Sequence, residues 1–290
     1  LFFQHCPDKL EWGPMHWGHA ISSDLMHWKE LPIALFPDKL GTMFSGSAVV
    51  DRLNSSGLGT KNNPPVVAFY TAAGEPFTQC LAYSNDGGMT LSKLPTNPIL
   101  KHIVGGNRDP KVVWHEGSKQ WIMALYLDGD EFAFFGSTNL KEWKELSRLR
   151  SPGDGECPDL FPLGDKWIFF GAKYRYLVGS FDGRSLKPEQ EAIQGDFGHN
   201  FYASQTYSDA PRGRRIQIAW MNGGNLPGMP YTNQMSFPCE LRLVHREEGW
   251  RVLRMPVKEI SSLVSSSSSA PAFGELAKWD LLDIEASFAV

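Results

Sequence analysis

Cysteine is scarce in this chain: four residues in 290, at positions 6, 80, 157 and 239, with no Cys-x-x-Cys pair among them. That spacing argues against a zinc ribbon or a thioredoxin-type redox motif. Long apolar runs are missing too. No stretch approaches the roughly 20 apolar residues with which a helix crosses a bilayer. Nor is there a basic block. Lys, Arg, Asp and Glu are intermixed and sum to a net charge of -4, so no phosphate-tracking surface is expected and nucleic acid is not an expected partner. No convincing helix of three turns appears.

What is abundant points to sheets. The 28 Gly, 20 Pro and 10 Trp favour short strands and tight turns over long helices. Segments 66–70, 121–126, 167–170 and 215–220 are β-branched or aromatic and bounded by turn residues, as strands are. Turn-opening sequences recur after apolar strands: Ser23-Asp24-Leu25-Met26-His27-Trp28, Ser84-Asn85-Asp86-Gly87-Gly88, Ser137-Thr138-Asn139-Leu140 and Ser180-Phe181-Asp182-Gly183. Their interval of about 45 to 60 residues is the length of a four-stranded propeller blade, and stacking blades radially leaves few exposed strand edges. The expectation is an all-β propeller over residues 1–260. Residues 261–280, which include Ser265 to Ser269, read as a polar connector. Residues 281–290 alternate apolar with polar or small side chains, like one half-buried strand.

Two tripeptides carry candidate chemistry, Arg108-Asp109-Pro110 and Glu156-Cys157-Pro158. Glycoside hydrolysis needs one carboxyl group protonated, to give its proton to the leaving oxygen, and others ionised to face the cation that develops on the sugar. The guanidinium next in sequence is expected to hold Asp109 ionised, whereas the neighbours of Glu156 offer it no charge partner. Acidic residues before proline are common at turns, so the tripeptides carry little on their own.

Their context carries more. The chain opens Leu1-Phe2-Phe3-Gln4-His5-Cys6-Pro7, continues with Glu11-Trp12-Gly13-Pro14-Met15-His16-Trp17-Gly18-His19-Ala20 and Asp24-Leu25-Met26-His27-Trp28, and reaches Phe44-Ser45-Gly46-Ser47-Ala48. After the two tripeptides come Phe201-Tyr202-Ala203-Ser204-Gln205-Thr206 and a stretch from Trp220-Met221-Asn222-Gly223-Gly224 to Pro238-Cys239-Glu240-Leu241. In order and spacing this set resembles glycoside hydrolase family 32, the invertases, inulinases and levanases, over nearly the whole chain. The resemblance implies a five-bladed β-propeller with a C-terminal β-sandwich beginning at residues 281–290. It implies retaining cleavage of β-fructofuranosidic bonds in sucrose, inulin or levan. Glu156 would be the acid/base and Asp109 the transition-state stabiliser, with Gln4, Trp12, Phe44, Ser45, Arg108 and Trp220 against the sugar. The family's nucleophile lies in a Trp-x-Asn-Asp-Pro-Asn segment upstream of the Phe-x-Gln motif. The expectation is therefore that the nucleophile precedes Leu1 and that these residues are an N-terminally truncated piece, inactive by itself.

No cofactor is implied. His16, His19 and His27 are close in sequence, but strand alternation separates their side chains, and no metal is expected. His199-Asn200 stands where many members carry an acidic residue, and Cys239 where many carry Arg, which bears on substrate preference and on the pKa of the acid. Two alternatives stay open. One is a fructan-binding propeller that does not cleave. The other is an inverting glycosidase of the arabinanase and xylosidase type, against which the Phe44 to Ser47 and Glu156 to Pro158 motifs count. Oligomeric state and compartment are not set by these residues, although a polymeric substrate favours an extracellular or periplasmic place.

Overall fold

The computed structural model describes residues 1–223 and 227–263, which form five antiparallel sheets arranged as the blades of a β-propeller. The first has three strands, β1 (Phe2–His5), β2 (His16–Ile21) and β3 (Lys29–Leu35). The second is β4 (Thr42–Val50), β5 (Val66–Ala73), β6 (Thr78–Ser84) and β7 (Ser92–Lys93); the third is β8 (Arg108–His115), β9 (Gln120–Asp128), β10 (Glu131–Ser137) and β11 (Lys144–Arg150). The fourth is β12 (Asp159–Leu163), β13 (Lys166–Phe170), β14 (Arg175–Phe181) and β15 (Leu186–Pro188), with β16 (Ile193–Gln194) also on β14. The fifth is β17 (Phe201–Thr206), β18 (Ile216–Met221), β20 (Cys239–Arg246) and β21 (Gly249–Pro256), with β19 (Gln234–Met235) also on β18. A 3-10 turn at Lys258–Leu263 follows. The rest of the expected connector and the strand expected at 281–290 lie outside the described residues. No helix among those described is long and apolar enough to cross a membrane.

The four apolar segments legible in the sequence fall in β5, β9, β13 and β18, each with a strand on both sides. Such a strand buries both faces, which is why it reads as a continuous apolar run. In β9, Trp121, Met123 and Leu125 pack with Val67, Phe69 and Leu81 of the second sheet, while Ile122, Ala124 and Tyr126 pack with Leu160 and Phe169 of the fourth. The core is thus a series of layers between successive blades. Trp17 and Leu35 meet Tyr70 and Ala72 in another layer, and Phe161 and Phe170 meet Leu241 in the last.

The recurring turns join the third and fourth strands of the blades. Ser84 Oγ accepts a hydrogen bond from the Gly88 N–H at 2.8 Å, and Ser137 Oγ accepts one from Leu140 N–H at 2.8 Å. The turn at Ser22 repeats the one at Ser137 almost atom for atom. Ser22 Oγ accepts from Leu25 N–H at 2.8 Å, Leu25 and Leu140 have φ of 68° and 62°, and Trp28 and Trp143 each donate Nε1–H to the leucine carbonyl. Since the Ser22 turn joins β2 to β3, the strands β1, β2 and β3 are in phase with the second, third and fourth strands of the other blades.

The first strands β4, β8 and β17 each lose register near their N-terminal ends, between Met43 and Gly46, between Arg108 and Lys111, and between Tyr202 and Gln205. A bulge of this kind bends a strand and re-aims a side chain. Asp109 and Ala203 have φ of 66° and 49° inside two of these bulges, and Glu156 and Cys157, just before β12, have 54° and 39°. Non-glycine residues are uncommon in this left-handed region and cluster at functional sites. Gly46 ends the remaining bulge, pairing with Tyr70 where the ladder resumes, and a Cβ there would stand 1.8 Å from the Phe69 carbonyl oxygen.

Candidate active site

The irregular strand ends surround a cavity of about 1450 Å3 whose lining includes Gln4, Trp12, Phe44, Ser45, Arg108, Asp109, Glu156 and Trp220. All eight candidate residues read from the sequence therefore meet in one place.

Asp109 lies at the bottom, 6% exposed. Its backbone N–H donates to Thr71 Oγ1 at 2.9 Å, Thr71 donates to Gln79 Oε1 at 2.7 Å, and Gln79 Nε2 donates to the Asn107 carbonyl at 3.1 Å. This chain from the second blade holds the bulge in place. The Asp109 carboxylate accepts the Cys157 N–H at 2.9 Å, with the Cys157 Sγ 3.4 Å away. Glu156 is more open. Arg108 Nη2 donates to its Oε1 at 2.5 Å, and the Tyr202 hydroxyl donates to its Oε2. Arg108 is itself fixed by the Gly106 carbonyl at 2.6 Å and lies over the Tyr126 ring, 4.6 Å from its centroid.

These contacts reverse the expected charge assignment. Arg108 bonds to Glu156 and lies 3.8 Å from the Asp109 carboxylate, with Nε as the nearest nitrogen. Burial raises the pKa of Asp109 above the usual carboxylate value, outweighing the Cys157 N–H and the Arg108 cation that pull it down. Burial also acts upward on Glu156, but there the hydrogen bonds from Tyr202 and Arg108 prevail and hold the carboxyl below its ordinary value. Of the two, Glu156 is the carboxylate whose charged form its neighbours favour. Tyr202, which stands inside a quoted motif but received no role from it, is the missed partner.

Aromatic rings line the same cavity. Trp12 is 61% exposed in a loop and meets Phe44 edge to face, with centroids 5.5 Å apart; Phe44 meets Phe77 in the same way at 5.5 Å. Phe77 follows Glu75-Pro76 in the turn between β5 and β6, where no strand period could reveal it. Trp17 is buried and supports Phe44 by donating Nε1–H to its carbonyl at 2.9 Å. Trp220 stands 6.1 Å from the Tyr202 ring. Gln4 Oε1 is buried without a hydrogen-bond partner, as befits an acceptor for a sugar hydroxyl. Ser47, two residues after the sugar-facing candidate Ser45, has a structural role: its hydroxyl donates to the Pro110 carbonyl at 2.8 Å and accepts the Val112 N–H at 2.9 Å, joining β4 to β8. His27 pairs with Asp24 at 2.7 Å, His16 bonds the Pro14 carbonyl and His19 is buried. Among the described residues no group of three or more His, Cys, Asp or Glu side chains is arranged to hold a metal.

Aromatic rings lining the same cavity as two carboxylates and a guanidinium are suited to a sugar ring, whose C–H face is apolar and whose hydroxyls are not. Comparison with known proteins agrees. Residues 1–256 match the Glycosyl hydrolases family 32 N-terminal domain. The chain belongs to glycosyl hydrolase family 32. Among family 32 relatives, a levanase of Bacillus subtilis is 40% identical over 300 residues, 92% of this chain and 44% of that protein. An extracellular exo-inulinase of Aspergillus niger is 32% identical over 327 residues, 91% of this chain and 61% of that protein. This chain thus spans about half the length of the curated relatives it matches. The crystal structure of exo-inulinase from Aspergillus awamori superposes with a TM-score of 0.82 at 31% identity, covering 90% of this chain and 63% of that one. A β-fructofuranosidase of Schwanniomyces occidentalis complexed with fructosyl-erythritol gives 0.79 at 35% identity, with 88% and 57% covered.

Proposed function

We propose that this chain supplies the acid/base and the transition-state-binding carboxylate of an enzyme that hydrolyses β-fructofuranosidic bonds of sucrose, inulin or levan type. The observation that carries the reading is the paired environment of the carboxylates: Glu156 between Arg108 and Tyr202, and Asp109 buried on the Cys157 N–H, in one cavity with the Trp12 and Phe44 rings.

In the first step the bond from the anomeric carbon to the bridging oxygen breaks. The Glu156 carboxyl proton passes to that oxygen as a carboxylate attacks the carbon. No residue of this chain is assigned as the attacking group. For this step Glu156 must be protonated. A second carboxylate brought close raises its pKa, because like charges in one site disfavour joint ionisation. In the second step water attacks the anomeric carbon, the bond from that carbon to the first carboxylate breaks and releases it, and the ionised Glu156, in the state Arg108 and Tyr202 favour, takes the water's proton. Asp109 binds ring hydroxyls more tightly as oxocarbenium character develops, which lowers the barrier rather than merely the dissociation constant.

Two substitutions in the protein as its gene encodes it test these roles. Glu156→Gln should lower turnover most for poor leaving groups, and Asp109→Asn should lower it for every substrate. Equal, mild losses from both would overturn the assignment. Glu156, bonded to both Arg108 and Tyr202, also suits a propeller that retains fructan without cutting it. Measuring inulin and levan binding beside release of reducing sugar separates the two readings.

A further inference from the structure

Beneath the two carboxylates lies a buried ion pair that the proposed chemistry does not use. Lys111 Nζ stands 3.0 Å from Asp159 Oδ1, and both side chains are shielded from water. Lys111 also donates to the Thr206 carbonyl at 2.9 Å and lies 3.3 Å from Gln205 Oε1. Asp159 Oδ2 accepts the Thr206 N–H at 2.6 Å. Gln205 Nε2 turns the other way and donates to the carbonyls of Cys157 and Pro158 at 3.2 and 3.1 Å.

The members come from the first strands of three blades, β8, β12 and β17, and each follows a residue of the candidate site closely. Lys111 is two residues after Asp109, Asp159 three after Glu156, and Gln205 three after Tyr202. Lys111 and Gln205 are also the residues at which ladder pairing resumes after the bulges. The bulged residues between have no ladder bonds to fix them.

We propose that Lys111, Asp159 and Gln205 are positioning residues, a clasp that joins three blades where pairing resumes and so holds Asp109, Glu156 and Tyr202 at fixed separations. Apolar side chains of the same volume would fill this space with little or no loss of stability, since a buried ion pair repays its desolvation poorly. Directional bonds supply what apolar packing does not, a single relative register of three strands. Misplacing a reacting group by about 1 Å costs on the order of a hundredfold in rate.

The clasp rests on the hydrolase reading for what the separation is used for, and its test can fail independently of that reading. Lys111→Met and Asp159→Asn remove charges of opposite sign. If each acted on Glu156 only through charge, loss of the cation would raise its pKa and loss of the anion would lower it. If they act by loosening the clasp, both release Glu156 from Arg108 and Tyr202, and both move its titration upward. Arg108, Tyr202, Asp109, Cys157 and Lys173, the polar and charged groups around Glu156, are unchanged in every variant. Titration of the Glu156 carboxyl carbon by NMR, with kcat and KM on inulin, should show upward shifts in both variants, with kcat down about a hundredfold and KM nearly unchanged. Gln205→Met carries no charge change, should shift Glu156 the same way, and stands in if a charged variant does not fold. Shifts of opposite sign, or a lowered melting temperature with kcat and the titration intact, would overturn the proposal. If the wild-type protein as its gene encodes it releases no fructose from sucrose, inulin or levan, the hydrolase reading falls, and the titrations alone still decide the clasp.

Discussion

Asp109 and Glu156 differ in how water reaches them, and that difference is measurable without any sugar. Burial raises the Asp109 pKa above its unfolded value. The penalty for ionising it in the fold is absent below the unfolded pKa, grows as pH rises through the folded pKa and is constant above. Asp109→Asn removes that penalty while keeping an acceptor for the Cys157 N–H, so the variant should melt higher than wild type at pH 7 and level with it near pH 3. Calorimetry at the two pH values checks the sign. The Cys157 thiol is pushed well above its ordinary pKa by burial, then by Asp109 and Glu156. Iodoacetamide at pH 8 should leave it unmodified until the protein is unfolded, as read by mass spectrometry of its peptide. The identities of both carboxylates were legible in the sequence because they stand in recognisable tripeptides. Their electrostatics were not, because adjacency along the chain says nothing about where a long side chain ends. Arg108 reaches past its neighbour to a residue 48 positions away.

The second strands β5, β9, β13 and β18 of their blades were legible, and outer ones were not, for one reason. β5 and β9 bury nearly every residue and leave an apolar run in the sequence, whereas β3, β11 and β21 are largely exposed or half-buried and carry charges. The bulges escaped notice because no composition marks them, except at Gly46, which sits where the Phe69 carbonyl leaves no room for a side chain. Gly46→Ala should therefore force β4 away from β5 and cost about 3 kcal/mol, with Phe44 and Ser45 displaced from the cavity. Denaturant unfolding, together with a fall in fructose binding, checks both parts. Phe77 eluded the sequence as well, since a turn side chain obeys no strand period. It completes the row of rings that begins at Trp12.

At the scale of the whole propeller, burial is uneven from blade to blade. β5, β6, β9 and β10 are almost entirely buried, whereas β3, β20 and β21 expose or half-expose most of their residues. Amides of the second and third blades should exchange with solvent on the order of a hundredfold more slowly than those of the first and last; equal protection throughout would mean the ring opens as one unit. The last blade is tied to the closing 3-10 turn by Arg214, which bonds Glu240 at 2.8 Å and Glu259 at 2.6 Å. Bulges, Asp109 and Glu156 all lie at the entry ends of the first strands, and antiparallel pairing puts the turns that leave those strands at the opposite rim. The tips at 116–119 and 164–165 are exposed there. That rim is thus available as an attachment point: a peptide tag, a dye or a surface tether inserted at Gly164-Asp165 would leave the cavity mouth pointing outward, an orientation in which long fructan chains in solution would reach an immobilised protein.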